Sequence, residues 1–550
     1  MKIYFYLLIS LSTIISLHLE QNSDLIGELQ DQSTLSEIEY INRNNYLELK
    51  SDYIITKISW TKMEKEKYKS NYLLGIFEGA NNISFFDAVP LAMIKENEKF
   101  NETNYINVST PYFYKYIRYI SPNKNNTDIS PIKLYGKPQS DKSESKCFQA
   151  TNLPLISINT ENSTEPLKKE QKINCNIFII NQGKIETNGE AIIRIRGKSS
   201  SLGPKKPYKI KFTHKQKILD FKGDYKKWVL IANYFDRTLL RNALAYKISE
   251  LMEFDYTPRC TPVDVVLNGN FRGNYYLCEE IEVGKNRVNI EKMGVNDINE
   301  PNITGGYLLE FDGWKAMAKE KYYETQKGIQ LRIIYPDEKE INTEQENYIM
   351  NKLNKLENEI YNDILDSLDL DSYSKHFVVR EFCGDPDSVW SSVYFTKQRN
   401  DDKFKFGPLW DFDMSFDNDD LLIPTNEKND FCFNYGWSAG TLKNITNVLI
   451  GNRNVIEYIQ KIWEKSCNTI LNENILTNFL EEKKIYLKES AELNYLKWDN
   501  YVPEKREWAD SMYDERKEPY ESSVEKLKDF IRKRFEVLSN LISNAVSSSK

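Results

Sequence analysis

Histidine is nearly missing from this 550-residue chain. His18, His214 and His376 are the three present, which excludes metal centres that need several imidazoles around one ion. The seven cysteines, Cys147, Cys175, Cys260, Cys278, Cys383, Cys432 and Cys467, include no Cys-x-x-Cys pair. A thiolate zinc site is therefore a poor reading, and one or two disulfides fit an oxidising compartment instead. An excess of positive charge is lacking too: 74 basic residues stand against 81 acidic ones, a formal net charge of -7. Neither nucleic acid nor an anionic membrane is attracted to the chain as a whole. Past the N-terminus no apolar run approaches the roughly 20 residues that span a bilayer, so no transmembrane span is expected. Gly-x-x-x-x-Gly-Lys-Ser/Thr, His-Arg-Asp and Asp-Phe-Gly are all absent, which removes the common nucleotide-binding families at the level of motif.

What is present begins with Lys2 and an apolar run to Ile15, closed by the small residue Ser16. This reads as a secretory signal peptide over residues 1–16, so the protein is expected to be secreted or held at a cell surface. Sequons at Asn82, Asn101, Asn107, Asn125, Asn162, Asn302 and Asn444 fit export. Residues 20–140 carry short apolar or alternating runs at 53–58, 72–77, 113–120 and 132–135, separated by polar turns, which predicts a small β-sandwich. Within it, Tyr116-Ile-Arg-Tyr-Ile-Ser-Pro-Asn and Ile129-Ser-Pro-Ile-Lys-Leu-Tyr-Gly136 resemble the closing strands of discoidin-like, galactose-binding-type sandwiches. That resemblance implies either a polysaccharide-binding module or a spacer.

After a polar linker at 137–146 the pattern changes, and residues 150–546 read as one larger region. Strands are expected at 191–196, 207–212, 227–232, 262–267, 274–278, 306–311 and 329–335, with a helix at 237–252. Residues 268–273 form a turn signal between two of these strands. From 343 to 383 the pattern is helical, a strand pair follows at 392–397 and 403–410, and helices resume from 448. In the last helix Val524, Leu527, Phe530, Ile531, Phe535, Leu538, Leu541 and Ile542 form one apolar face. A β-rich lobe followed by a helical lobe is an α+β architecture with a cleft between lobes, where substrates bind.

Two constellations carry chemistry. In the hairpin 191–212 the period-two rule puts Arg194 and Arg196 on one strand face and Lys209 and Lys211 on the matching face of its partner. Lys205 and Lys206 stand at the mouth, and the Gly/Ser-rich loop 197–203 joins the strands. Fixed cations beside a loop rich in N–H donors suit a polyphosphate, whereas such a hairpin alone is more often a solvated face. The second constellation is acidic: Gly384-Asp-Pro-Asp387 at a helix end and Trp410-Asp-Phe-Asp413 at a strand end. Asp411 and Asp413, two apart on extended backbone, both face one site, where hard oxygens suit Mg²⁺ between protein and phosphate. Asp417, Asp419 and Asp420 follow, but Ser415 and Phe416 occupy positions an EF-hand needs for a ligand and for the turn glycine. Cations on one lobe and spaced aspartates on the other divide the labour as phosphoryl transfer does.

The blocks Arg194-Ile-Arg-Gly-Lys-Ser-Ser, Lys205-Lys-Pro-Tyr-Lys-Ile-Lys-Phe, Trp228-Val-Leu-Ile-Ala-Asn, Leu240-Arg-Asn-Ala-Leu-Ala, Tyr275-Tyr-Leu-Cys-Glu-Glu, Gly306-Tyr-Leu-Leu-Glu310, Asp387-Ser-Val-Trp-Ser-Ser-Val-Tyr-Phe and Gly407-Pro-Leu-Trp-Asp-Phe-Asp413 run in this order. Together they resemble the CotH kinases, atypical kinases named for a bacterial spore coat protein. The resemblance implies a protein-kinase-like fold that binds ATP with Mg²⁺ or Mn²⁺ and phosphorylates serine or threonine of exported or coat proteins. By motif, Asp387 falls on the family's catalytic aspartate and Asp411 on its metal ligand, with Asp413 beside it. Lys206 would be the phosphate-binding lysine, Lys209 the second candidate, and Arg196 their neighbour. Glu280 or Glu310 would orient that lysine or the metal. Many relatives have asparagine where this chain has Ser392, which implies weaker metal binding, a water-bridged ion or a degenerate kinase.

Three functions therefore compete: a secreted Ser/Thr kinase, a degenerate kinase-like adhesin or scaffold carrying a carbohydrate-binding module, and a glycoside hydrolase. The last would use Glu381 and Asp413 beside Trp390 and Trp410, and it leaves the basic hairpin unexplained.

Overall fold

The computed structural model describes residues 36–37, 40–43, 46–51, 53–62, 73–96, 102–122, 129–138, 146–313, 320–419, 424–436, 441–499, 508–515 and 517–549. The expected signal peptide, the sequons at Asn101 and Asn125, most of the expected linker and Asp420 lie outside the described residues. Helix and strand are mixed, at 33% and 28%, which is an α+β fold. The chain divides into two compact units, residues 1–148 and 149–550.

In the first unit β1 (Ser36–Glu37), β2 (Tyr40–Arg43), β3 (Tyr46–Leu49), β4 (Tyr53–Lys62) and β5 (Ile76–Ala80) are followed by β6 (Val89–Met93), β7 (Thr103–Asn107), β8 (Tyr116–Ile120) and β9 (Ile129–Pro138). They form two antiparallel sheets, ordered β1-β9-β4-β7 and β2-β3-β8-β5-β6. Trp60 of the first sheet meets Phe77 of the second at 5.3 Å between ring centroids, so buried aromatics join the two layers. The strand expected at 72–77 begins later, at Ile76, because Leu74 turns the chain with a φ of 75°.

The second unit opens with β10 (Leu155–Thr160), β11 (Ile173–Asn181), β12 (Lys184–Ile195), β13 (Tyr208–Gln216), β14 (Tyr225–Ile231), β15 (Cys260–Leu267) and β16 (Asn270–Glu279). These close into a barrel in the order β10-β11-β12-β13-β14-β16-β15. Closure comes from the parallel pairing of β10 with β15, Ile156 against Val265, which leaves no free edge. Ile193, Ile195, Ile210, Phe212, Trp228 and Leu230 fill the interior, so alternation puts Arg194, Lys209 and Lys211 outside. The β15–β16 turn is tighter than expected: Asn268 and Gly269, at φ 51° and 73°, make a two-residue hairpin turn.

Beyond the barrel β17 (Tyr307–Phe311), β18 (Tyr323–Glu324), β19 (Gln330–Tyr335), β20 (Val393–Lys397) and β21 (Phe404–Phe406) form an antiparallel sheet ordered β18-β19-β17-β20-β21. The described helices are α1 (Arg241–Leu251), α2 (Thr343–Tyr361), α3 (Leu370–Phe382), α4 (Thr441–Gly451), α5 (Arg453–Thr469), α6 (Glu473–Trp498), α7 (Trp508–Glu515) and α8 (Tyr520–Ser548). The helical stretch expected over 343–383 is two helices. Asp363 takes a φ of 59°, and Asp369 restarts the chain by capping the Ser372 N–H at 2.9 Å. In α8 Val524, Leu527, Phe530, Ile531, Leu538, Leu541 and Ile542 are buried as the periodicity requires. The expected disulfides do not form: all seven cysteines carry free thiols. Five are dispersed over separate elements, and Cys260 and Cys278 face each other across β15 and β16 as thiols.

A buried polar seam docks α6 onto the barrel. Ser490 donates to Asp264 at 2.6 Å, Asn274 donates to Ser490 at 3.0 Å, and Lys205 donates to Asn494 at 2.8 Å. Lys205 is 1% exposed, and burial drives its proton affinity well below that of an ordinary lysine. It is a structural group.

Candidate active site

The basic side is assembled by strand register. Arg194 pairs with Lys209 across β12 and β13, and Lys209 pairs with Val229 of β14. Glu280 follows β16 directly, and its carboxylate takes the Lys209 ammonium at 2.6 Å. Burial opposes the charge on Glu280, yet Lys209, Arg196 and Lys227 outweigh it and hold the carboxyl below its usual range. The Arg196 guanidinium lies over the Trp410 ring, 5.4 Å from its centroid. Trp410 is itself stacked on Tyr246 of α1 at 6.0 Å. Arg196 thus bridges the barrel and the segment that carries Asp411.

The acidic side is irregular. After α3, Gly384 turns the chain with a φ of 59°, and the Asp385 carboxylate pairs with Arg380 while accepting the Asp387 N–H at 3.2 Å. Arg380 also donates to the carbonyls of Ser392, at 2.7 Å, and Trp410, at 3.3 Å. One buried cation therefore holds the segments bearing Asp387, Ser392 and Asp411 together. Further support comes from α1: Asn242 accepts the Phe412 N–H at 2.8 Å, and Arg241 donates to the Ser415 carbonyl at 3.1 Å. Ser392 and Asp411 both adopt left-handed backbone, at φ 58° and 69°, a strained state for non-glycine residues that clusters at functional sites. The Ser392 hydroxyl donates to Asp411 at 3.3 Å.

Asp387 holds its proton well above the ordinary carboxylate range, through burial first and then the charges of Asp385, Asp411 and Asp413. Those three carboxylates are thus near enough to act on it. Among the described residues no three acidic, cysteine or histidine groups converge tightly enough to hold an ion unaided. One or two carboxylates with substrate phosphate supplying the rest is the way Mg²⁺ is usually held, and Asp411 with Asp413 fits that donor set. A divalent cation there would offset the charges of Asp411 and Asp413, which add to burial in loading a proton onto Asp387.

Of the other sequence candidates, Lys206 donates to the Ser201 carbonyl of its own loop at 2.9 Å. Glu310, on β17, pairs with Arg332 of β19 at 3.1 Å and registers with Tyr394 of β20. Burial raises its proton affinity, against the pull of Arg332. Glu310 has Arg332 as its ion partner and reaches the site through Tyr394, which feels both Glu310 and Arg196, at the margin of the group formed by Arg196, Lys209, Glu280, Asp387, Asp411 and Asp413. Glu381, proposed for glycoside hydrolysis, is 1% exposed. Its carboxylate accepts the N–H groups of Cys432 and Phe433 at 2.7 and 3.1 Å, so it cannot serve as an acid or nucleophile, and that reading falls.

Sequence reasoning missed Arg380, Asn242 and Asp312. Asp312 pairs with Lys198 of the 197–203 loop and accepts the Tyr322 hydroxyl at 2.7 Å, which ties that loop down. The signals were an arginine five residues before Asp385 in the last turn of α3 and the place of Asn242 in the block Leu240-Arg-Asn-Ala-Leu-Ala; nothing local marks Asp312.

Comparison with known proteins supports the kinase-like reading of this unit. No curated protein matches the chain. A solved structure, CBM62 from Clostridium thermocellum Xyl5A, is similar at 27% identity over 20% of this chain and 81% of that one, with a TM-score of 0.16, too low to carry a statement about fold. The family model described as CotH kinase protein matches residues 193–538, a span holding every residue of the gathered site. The chain belongs to the CotH kinase family.

Proposed function

We propose that this protein is an atypical Ser/Thr kinase that transfers the γ-phosphate of ATP to secreted or cell-surface proteins. The observation that carries this reading is the Lys209–Glu280 pair, at 2.6 Å, joined through Arg196 and Trp410 to the segment holding Asp411. A cation oriented by a carboxylate on one lobe and a metal-binding aspartate on the other are the parts kinases use on ATP phosphates. Lys209 and Arg196 meet the phosphates, Glu280 orients Lys209, and Asp411 with Asp413 hold the cation. Mg²⁺ or Mn²⁺, when bound, supplies charge neutralisation on the phosphate oxygens. Asp387 accepts the proton of the incoming hydroxyl, and its raised proton affinity makes it a stronger base once ionised. Lys206 is assigned to holding its loop. The first unit, by its resemblance to galactose-binding-type sandwiches, is either a module that brings the kinase to polysaccharide or a spacer.

One observation favours a second reading, a kinase-like adhesin or scaffold. Ser392 offers Asp411 a hydroxyl at 3.3 Å where the resembled family carries an amide able to ligate a second metal. Incubating the full chain with γ-labelled ATP, Mg²⁺ or Mn²⁺ and exported proteins tests both. Label on serine or threonine is expected. Nucleotide binding without transfer favours the scaffold, and no nucleotide binding at all sinks the kinase reading.

A further inference from the structure

A groove of about 570 Å³ opens on the barrel, and two residues that line it, Lys211 and Glu282, lie two positions beyond Lys209 and Glu280 in the chain. Six lysines line it, at 211, 215, 226, 227, 285 and 292, against the carboxylates of Asp224 and Glu282. Six positive less two negative charges leave +4 in the groove, on a chain whose net charge is -7. Lys226 is held by the Thr213 carbonyl at 2.7 Å and Lys227 by Glu282 at 3.1 Å. The ammonium groups of Lys211, Lys215, Lys285 and Lys292 have no hydrogen-bond or ion-pair partner among the described residues. Like charges gathered without partners repel one another, so they mark a place where an anion is the missing component.

The groove is built on a rigid base. Arg287, 1% exposed, lies over Tyr225 at 4.0 Å and Trp228 at 4.9 Å, and donates to the carbonyls of Lys227 and Glu280 at 3.0 and 3.3 Å. Asn286 donates its N–H to the Tyr225 hydroxyl at 3.1 Å. The base is continuous with the candidate active site. Lys211 follows Lys209 by two residues on the same face, about 7 Å along a strand, and it registers with Lys227. Glu282 follows Glu280 by two residues.

We propose that this groove docks a short acidic segment of the protein substrate, a run of aspartate or glutamate side chains, and thereby presents the acceptor hydroxyl to the neighbouring site. Ammonium groups on long stems reach dispersed carboxylates, and the volume lies in the range of ligand clefts. The Tyr225 ring is covered by Arg287 and is not available to stack a base, as single-stranded nucleic acid binding requires. A long polyanion would also run beyond the groove onto a chain of opposite preference, since the whole carries -7. The proposal rests on the kinase reading for its acceptor, but the docking itself needs no ATP.

Fluorescence anisotropy of a labelled hexaglutamate peptide with the full chain, without nucleotide, tests the docking. Binding is expected to weaken with salt and at least about tenfold when Lys211, Lys215, Lys285 and Lys292 are all changed to glutamine. The variant should melt with the wild type, because these four side chains are exposed and their ammonium groups hold no ion pair or hydrogen bond among the described residues. Equal binding by the two proteins overturns the groove. Heparin or a DNA oligomer of equal charge that binds more tightly and displaces the peptide overturns the acidic-peptide occupant. With ATP, a glutamate run beside the acceptor serine should lower KM in the wild type and lose that advantage in the variant. Hexaglutamate binding through the four lysines with no transfer to any peptide supports the groove while it is the kinase reading that fails.

Discussion

The barrel face and the acidic segment meet through Trp410, yet they are made in opposite ways. Arg194, Lys209 and Lys211 are placed by strand alternation, and their backbone is ordinary β-sheet. Asp387, Ser392 and Asp411 sit on irregular chain, two of them at left-handed φ, and are held by the buried side chains of Arg380 and Asn242. Regular structure can carry a charge, but it does not converge charges from three distant segments. For that the fold uses a buried guanidinium with several donors in a fixed fork. The barrel side should therefore tolerate substitution as a fold, and the buried residues that hold the acidic side, Arg380 and Asn242, should not.

The strongest way to break that contrast is Arg380→Met. Arg380 and Asp385 are 2% and 1% exposed, so the change leaves an uncompensated buried carboxylate and should cost about 3–5 kcal/mol in urea unfolding. A loss below about 1 kcal/mol would mean that Arg380 does not anchor the segment. Next is Asp387→Asn, expected to reduce phosphoryl transfer at least about a hundredfold while ATP affinity measured by calorimetry stays near wild type. Transfer that survives would move the base to another residue.

The same substitution has a stability consequence of known sign. Burial, followed by Asp385, Asp411 and Asp413, raises the Asp387 proton affinity in the folded chain. Between the unfolded carboxyl's pKa, about 3.9, and the raised folded value, the folded state binds the extra proton. Stability therefore falls as pH rises through that window. Asp387→Asn should melt above wild type at neutral pH and converge with it below the unfolded value. A wild type that melts higher at neutral pH would refute the charge crowding.

Smaller effects test the barrel side. Lys209→Met should weaken ATP about tenfold, the loss of a charge-assisted hydrogen bond, with adenosine unaffected and the fold intact. Lys206→Met should do less, since its ammonium serves the Ser201 carbonyl. A larger effect at Lys206 would reverse the assignment of the two lysines. Smallest is Ser392→Asn, which should tighten Mn²⁺-dependent ATP binding a few-fold by adding an oxygen ligand. No change in titration would leave Ser392 without a role at the metal.

Much of this was legible in the chain. The β-rich then helical order, the apolar face of α8 and the outward basic residues of β12 and β13 follow from periods of 3.6 and 2, which are local properties. The order of motif blocks identified the family region before any geometry was available. Barrel closure was not legible, because β10 and β15 pair across more than a hundred residues, and no local pattern specifies a parallel partner. Sequence reasoning was equally blind to the partners of Lys206 and Lys209: both lie near one loop, and only the fold brings Glu280 to Lys209 and the Ser201 carbonyl to Lys206.

By itself the sequence determined which residue types are available for chemistry: few histidines, dispersed cysteines, and spaced aspartates and lysines. Tertiary structure decided which of these charges are committed to holding the fold. Lys205, Glu381 and Asp385 are spent on buried partners and Glu310 on the half-buried Arg332, while Lys209, Glu280, Asp387 and Asp411 are gathered at the site. The reason is desolvation: a charge removed from water must find its partner wherever the chain happens to bring one, and that is settled by packing between elements far apart in sequence.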